Sequence, residues 1–220
     1  MRYYVYVSRA KIDMMFEQIP RKLLPRLVTE ARADLKIVSV AVQQPRDEPT
    51  LYDRLNAVED HLDREYDIGW MTEPAFWFRG ESALRIAAAG DASSPVLMTG
   101  REGDLVVALI GSAHHLVGRE APASELGRVG HSWLPSLYGL LEEARTDTEF
   151  VDVDAEGRDD RGTLRDVLTF SGRATGPATW CEFLARQLMR GTVTGPDGRP
   201  RQVVIATPLY VAMSDELQGA

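Results

Sequence analysis

The spacing of hydrophobic and polar residues in the first third of the chain alternates between strand-like and helix-like patterns. Residues 2–7 are aromatic or β-branched almost throughout, which predicts a buried strand, and residues 36–43 predict a second one. Prolines divide the intervening segment into two short helices, the second over 24–34. Thr50 is placed to cap a longer helix whose apolar residues recur at spacings of four, three and four. These residues are Leu51, Leu55, Val58 and Leu62.

Over residues 74–118 the pattern changes to short apolar runs separated by turn signals. The turn signals are Gly80-Glu81, Gly90-Asp91 and the segment 101–103. They leave connections of only a few residues between the runs. Because a parallel crossover needs a dozen or more residues, the runs predict antiparallel neighbours in a meander.

The last third of the chain is predicted to hold two helices followed by two strands. One helix begins at Ser132, and a second covers 177–190. The apolar stripe of the second helix is Trp180, Phe183, Leu184 and Leu188. Strands over 202–206 and 209–213 follow, with a bend at Pro208 between them. Because the first and last strands are both apolar, we expect both inside the sheet, as candidates for direct neighbours.

Together these elements predict a single α+β domain over residues 1–220. We expect a mostly antiparallel twisted sheet of six to eight strands, with four or five helices mainly on one face. At 220 residues and 44% hydrophobic content, the chain can bury enough core to fold without a metal or a disulfide. The acidic segment 145–161 has few apolar anchors and is predicted to be a mobile, solvated loop, because its carboxylates lack the spacing of a calcium loop.

Charge and cysteine content exclude several classes of function. The formal net charge is -8, from 33 acidic and 25 basic residues, which disfavours binding to nucleic acid or to an anionic membrane. The one cysteine, Cys181, cannot form an intramolecular disulfide, and no apolar run is long enough for a membrane helix. We therefore expect a soluble cytoplasmic protein. The basic residues are 22 Arg and 3 Lys, which we interpret as the codon bias of a GC-rich bacterium.

The segment 111–118 begins and ends with glycine and is the first candidate for a site. His114 or His115 could act as a general base beside Ser112, because imidazole ionises near neutral pH. The segment lacks the lysine of a phosphate loop and the Gly-x-Ser-x-Gly order of a nucleophile elbow. Adjacent histidines in a strand point to opposite faces, so a metal would also need His131; we predict no metal and no cofactor. The structural alternative is a turn with one packed and one exposed histidine.

Aromatic residues and one arginine are concentrated over residues 70–81. Strand alternation places Trp77 and Arg79 on one face, and Phe76 and Phe78 on the other. With both phenylalanines inward, Trp77 and Arg79 would line an outer surface or a cleft, where Arg79 could bind a carboxylate or a phosphate. The alternative is a core strand whose large side chains only fill space.

Five strings of sequence together resemble a family of uncharacterised, mostly actinobacterial proteins that is classed as a domain of unknown function. The strings are YYVYVSRAKIDMMF from Tyr3, GWMTEPAFWFRG from Gly69, IGSAHHLVG from Ile110, CEFLARQL from Cys181 and ATPLYVA from Ala206. The resemblance covers nearly the whole chain and so implies one full-length domain. It implies no activity, no cofactor and no catalytic residue.

For function, we expect a non-catalytic binding or sensor module for a small molecule or a protein partner in a bacterial cytoplasm, because no motif completes a catalytic set. The candidate ligand-binding residues are Trp77, Arg79, Ser112, His114, His115 and His131. The alternative is an enzyme of hydrolase or transferase type, with His114 or His115 as general base and Arg79 as anion stabiliser. An accessory subunit that acts only in assembly, and a homodimer, also remain open.

Overall fold

The computed structural model describes residues 2–20, 22–23, 49–88, 95–118 and 160–214. The chain divides into two compact units, one comprising Ser8–Ile68 and the other comprising Met1–Val7 with Gly69–Ala220. The single-domain expectation stays a prediction. Several predicted elements lie outside the described residues. They are the helices at 24–34 and from Ser132, the strand at 36–43, and the acidic loop except for its last two residues.

The unit Ser8–Ile68 contains two described helices, α1 (Arg9–Gln18) and α2 (Leu51–Glu65). The predicted cap of α2 is confirmed. Thr50 Oγ1 accepts a hydrogen bond from the Asp53 backbone N–H at 3.2 Å, and Asp53 Oδ2 accepts one from the Thr50 N–H at 3.0 Å. The stripe residues that the fold buries in this helix are Leu55, Val58 and Leu62.

The second unit is built on a seven-stranded, mostly antiparallel sheet, as predicted. The strands are β1 (Tyr3–Val7), β2 (Ile68–Trp70), β3 (Trp77–Ala88), β4 (Pro95–Glu102), β5 (Leu105–Ser112), β6 (Thr179–Thr194) and β7 (Pro200–Met213). One pair, β5 with β7, is parallel. Strand β1 pairs antiparallel with β7, so the first and last strands are neighbours. However, β1 ends the strand order and its Tyr3 is 72% exposed, so the expectation of a fully internal strand is wrong.

Five of these strands close into a ring, which makes a small barrel, a closure that the sequence analysis did not predict. The pairings run from β3 to β4, β5, β7 and β6, and β6 pairs again with β3. Three consecutive antiparallel strands, β3 to β5, are therefore followed by a strand that returns beside the first, which is a Greek-key arrangement. Closure gives each of the five strands two neighbours, although β3 pairs with β6 through residues 77–84 and with β4 through residues 85–88.

Side chains fill the interior of the barrel. Each of the five strands contributes buried apolar residues, among them Phe78, Met98, Leu109, Phe183 and Val204. Two interior glycines are needed because their neighbours occupy the space of a side chain. An added Cβ would lie 2.5 Å from Phe183 Cζ at one of them, Gly80, and 2.5 Å from Ser82 Oγ at the other, Gly100. The barrel is therefore a packed core rather than a ligand cavity.

A helix covers part of the outer face of the barrel. Helix α3 (Asp160–Arg173) contributes Leu164 and Val167 to a second apolar cluster, which includes Ile110 of β5 and Ile205 of β7. The described residues hold three α-helices, fewer than the four or five predicted. Within those residues no helix is long and apolar enough to cross a membrane.

The predicted helix over 177–190 is wrong, because this segment forms β6. The error has two physical causes. Phe183, Leu184 and Ala185 are consecutive and all buried, so this part of β6 lacks the alternation of a half-buried strand. The register shift between Gln187 and Met189 then adds one residue to β6, which leaves the apolar Leu188 four residues after Leu184. That spacing is the one that a helix also produces.

Candidate functional site

The glycine-bracketed segment forms a tight turn at the end of β5. Residues Ala113–His115 make one turn of 3₁₀-helix, and the Ser112 hydroxyl accepts a hydrogen bond from the His114 backbone N–H at 3.4 Å. His115 is buried, His114 is half-buried, and their ring centroids are 5.3 Å apart. The turn thus brings together three of the candidate residues.

Tyr6 of β1 anchors this turn from the interior. Its ring meets His115 edge-on at 5.8 Å between centroids. The same ring lies over Gly111, where an added Cβ would be 2.5 Å from Tyr6 Oη. The turn is also tied to β1 by a hydrogen bond from the Val117 N–H to the Val5 carbonyl at 2.9 Å. The first glycine of the bracket is therefore required by packing.

The other candidate residues do not join the turn. Trp77 is buried at 6% exposure rather than forming an open platform, and Arg79 is half-buried and already has an interaction partner. Arg79 pairs with a residue of β6, and the register continues through β7 to Val7 of β1. Arg79 is thus three strand spacings, about 14 Å, from β1 along the sheet. His131 lies outside the described residues.

A different group of side chains, which the sequence did not reveal, gathers where β3 begins. The guanidinium carbon of Arg186 lies 4.5 Å from the ring centroid of Phe76, and Phe76 is 56% exposed. Arg190 Nη1 donates to the Pro74 carbonyl at 3.4 Å. The backbone N–H of Gln187 donates to the Phe76 carbonyl at 2.9 Å. We call Phe76, Arg186, Gln187 and Arg190 the Phe76 cluster.

The two arginines of the Phe76 cluster are distinguished by their lack of acidic partners. Both are exposed, and neither forms an ion pair with an aspartate or glutamate of the described ranges. By contrast, Arg2 pairs with Glu182 at 2.7 Å. Most of the ten N–H donors on the two guanidinium groups are therefore available to a ligand. Paired donors of this kind suit carboxylate or phosphate oxygens.

The Gln187 side chain is the second unusual feature of the Phe76 cluster. Its Oε1 is buried and accepts no hydrogen bond among the described residues. Such an acceptor destabilises the fold unless it is satisfied by some other group.

The sequence signal for this site was missed because a predicted helix over 177–190 separates Arg186 from Phe76.

Two other side chains could take part in chemistry or binding, Cys181 and Arg201, and the structure accounts for both without a functional site. Burial raises the pKa of the Cys181 thiol to about 11, so the nucleophilic thiolate is scarce at neutral pH. Arg201 bridges Asp104 in the β4–β5 turn and Asp197 in the β6–β7 turn, which fixes the two hairpins side by side. No three His, Cys, Asp or Glu side chains gather as a metal site in the part of the chain that the structure describes.

Comparison with known proteins gives a family but no activity. Residues 2–215 match the sequence profile of a family described as a family of unknown function, DUF7019. No curated protein matches the chain, and no solved structure matches it.

Proposed function

We propose that this chain, which belongs to the DUF7019 family of unknown function, is a non-catalytic binding or sensor module for a small molecule in a bacterial cytoplasm. The observation that carries the proposal is the Phe76 cluster, where an exposed aromatic ring lies beside two arginines without acidic partners. An exposed ring supplies a contact surface, and the arginines supply directional donors. The four residues of the cluster supply recognition groups, and none of the four is a nucleophile.

The packed barrel interior supports a site on the outside of the fold. Glycines inside the barrel already have side chains in contact, so a ligand would have to displace core residues to enter. An external cluster needs no such rearrangement. A ligand there would be recognised at the strand ends, and β3 and β6 would hold Phe76 and Arg186 in position.

A thermal-shift screen with a metabolite panel tests this function. A ligand at one hundred times its dissociation constant stabilises the folded state by about 2.7 kcal/mol, which corresponds to several degrees for a chain of this size. We expect the shift to disappear in Phe76→Ala and Arg186→Gln. It should persist in the matched controls Tyr3→Ala and Arg165→Gln, which change an exposed aromatic residue and an exposed arginine outside the cluster.

Two results would count against a binding function at the Phe76 cluster. One is a panel in which no compound raises the unfolding temperature. The other is a shift of equal size in the cluster variants and in the controls, because the ligand would then bind elsewhere. If a partner protein binds the unmodified protein but not the cluster variants, the binding function stands, and the ligand is a protein rather than a small molecule.

The second candidate is a hydrolase or transferase that uses His114 or His115 as general base, without Arg79, which does not join the histidine turn. The observation that favours it is the contact between the two imidazole rings, one of them half-buried at the surface of the turn. Turnover of an ester or phosphoester panel tests it. We expect any such activity to be lost in His114→Gln and retained in Phe76→Ala, and equal turnover in His114→Gln and the unmodified protein would reject it.

A further inference from the structure

The chemistry of the Phe76 cluster is specific enough to name a class of ligand. Arg186 and Arg190 both contact the segment 74–76, one through the Phe76 ring and the other through the Pro74 carbonyl. One guanidinium is therefore held on the exposed ring, and the other is held at a carbonyl two residues before it in the chain. A ligand that uses all of these groups must combine a planar ring with an anionic group of several oxygen atoms.

The anionic part of the ligand is best matched by phosphate. Each guanidinium offers a rigid fork of donors that fits phosphate or carboxylate oxygens in pairs. Arg190 uses one long hydrogen bond of 3.4 Å, to a carbonyl, and Arg186 makes none through its guanidinium to the described residues. A phosphate chain has enough oxygens to engage two such forks at once, whereas a single carboxylate has two.

The planar part of the ligand is best matched by a nucleobase. Phe76 is 56% exposed although Arg186 lies on it, so part of the ring remains available for stacking. Stacking of a base on an aromatic ring, with arginine beside it, recurs in proteins that bind single-stranded nucleotides.

We propose that the Phe76 cluster binds a nucleoside phosphate, an inference that rests on the proposed binding function. Phe76 stacks on the base, and Arg186 and Arg190 bind the phosphate oxygens. The segment that carries Phe76 is held against β6, because the Gln187 backbone N–H donates to the Phe76 carbonyl. The ligand is a mononucleotide, since the described cluster offers one stacking ring.

Isothermal titration of the full chain with ATP, adenosine and inorganic tripolyphosphate tests the ligand class. We expect ATP to bind more tightly than either of its parts. Arg186→Gln should weaken ATP binding by about 10- to 100-fold, the loss expected for one charged hydrogen-bonding partner. Phe76→Ala should weaken ATP and adenosine but leave tripolyphosphate unchanged. Arg165→Gln is the matched arginine control and should leave all three ligands unchanged.

Other outcomes separate failure of this inference from failure of the proposed function. If tripolyphosphate binds as tightly as ATP and Phe76→Ala has no effect, the site recognises an anion without a base. The assignment of a nucleotide as the ligand would then be wrong, although a binding function at the cluster would stand. If a single-stranded oligonucleotide binds more tightly than ATP, with steep salt dependence, the assignment of a mononucleotide as the ligand would also be overturned. If neither ATP nor any panel compound binds in a cluster-dependent way, both proposals fail.

Discussion

Replacing Gly111 with alanine is predicted to destabilise the barrel through one contact. Gly111 does not have a positive φ, so alanine is compatible with its backbone conformation. The added Cβ, however, would lie 2.5, 2.6 and 2.7 Å from Oη, Cζ and Cε2 of Tyr6. Ordinary contacts of a Cβ begin near 3.4 Å, so the Tyr6 ring would have to move by almost 1 Å.

That movement is costly because Tyr6 has no room on its other sides. Tyr6 is fully buried and belongs to the barrel core, and its ring meets His115 edge-on. Overpacking of this kind typically costs about 1–3 kcal/mol. For a chain of this size the unfolding temperature should fall by about 2–4 °C for each kcal/mol. Urea unfolding followed by circular dichroism measures the loss as a lower midpoint at an unchanged slope.

A matched glycine provides the control. Gly172 lies in helix α3 with nothing within 4 Å of its added Cβ, so Gly172→Ala should be neutral or stabilise by up to about 1 kcal/mol. The double variant Tyr6→Leu with Gly111→Ala isolates the contact, because leucine lacks all three clashing atoms. In the Tyr6→Leu background the alanine should cost little. A Gly111→Ala protein as stable as the unmodified one, or equal costs in both backgrounds, would refute the packing argument.

Further predictions concern the Arg201 bridge, the buried thiol and the helix cap. Arg201→Met should lower the urea midpoint, because it removes the link between Asp104 and Asp197 while keeping an apolar side chain, and Arg201→Lys should recover part of the loss. The Arg199 backbone N–H and the Arg201 guanidinium lower the pKa of Asp197. Asp197 should therefore stabilise the fold at pH values above the ordinary carboxyl range, and this stabilisation should be lost as the pH falls through the lowered pKa. The difference in unfolding free energy between the unmodified protein and Asp197→Asn should accordingly shrink as the pH is lowered. Cys181 should react with a thiol reagent at pH 8 only after denaturation, since burial raises its pKa to about 11; rapid reaction of the native protein would contradict this. Thr50→Ala should cost about 1 kcal/mol in urea unfolding, whereas Thr50→Ser should keep most of the cap.

The elements that could be predicted from sequence are those whose hydrophobic spacing has one interpretation. Helix α2 has a cap, an apolar stripe and a polar face, and all three signals agree. The pairing of β1 with β7 was only one possibility raised by the apolar character of both segments. For α2 the local pattern is enough, because the burial of one face determines the element.

The elements that could not be predicted depend on contacts between distant parts of the chain. Strand β6 is buried on both sides and shifts its register twice, so its local pattern matches a helix as well as a strand. Closure of the barrel depends on the pairing of β6 with β3, and the residue pattern of neither strand identifies the other as its partner. The Phe76 cluster was hidden for the same reason, since it exists only when β6 lies beside β3.

The same dependence limits prediction of the histidine turn. The glycines and histidines of 111–118 identified an unusual turn, and the structure places one histidine buried and the other half-buried. The sequence did not show that the space beside Gly111 is filled by the ring of Tyr6, which lies more than one hundred residues earlier in the chain. The prediction of a site at this turn remains open to the turnover and ligand experiments described above.

The position of β7 in the sheet has a consequence for synthesis of the protein on the ribosome. β7 pairs with β1, β5 and β6, and the register joins Tyr3 to Met213. At translation rates of about 5–20 residues per second, β1 waits roughly 10–40 s for the strand that completes it. Until β7 leaves the ribosome, three strands expose backbone groups that it will later occupy, so the nascent barrel is open to chaperones and to misfolding throughout that interval. A messenger truncated before codon 200 should therefore yield no partly assembled barrel, only an insoluble or rapidly degraded chain.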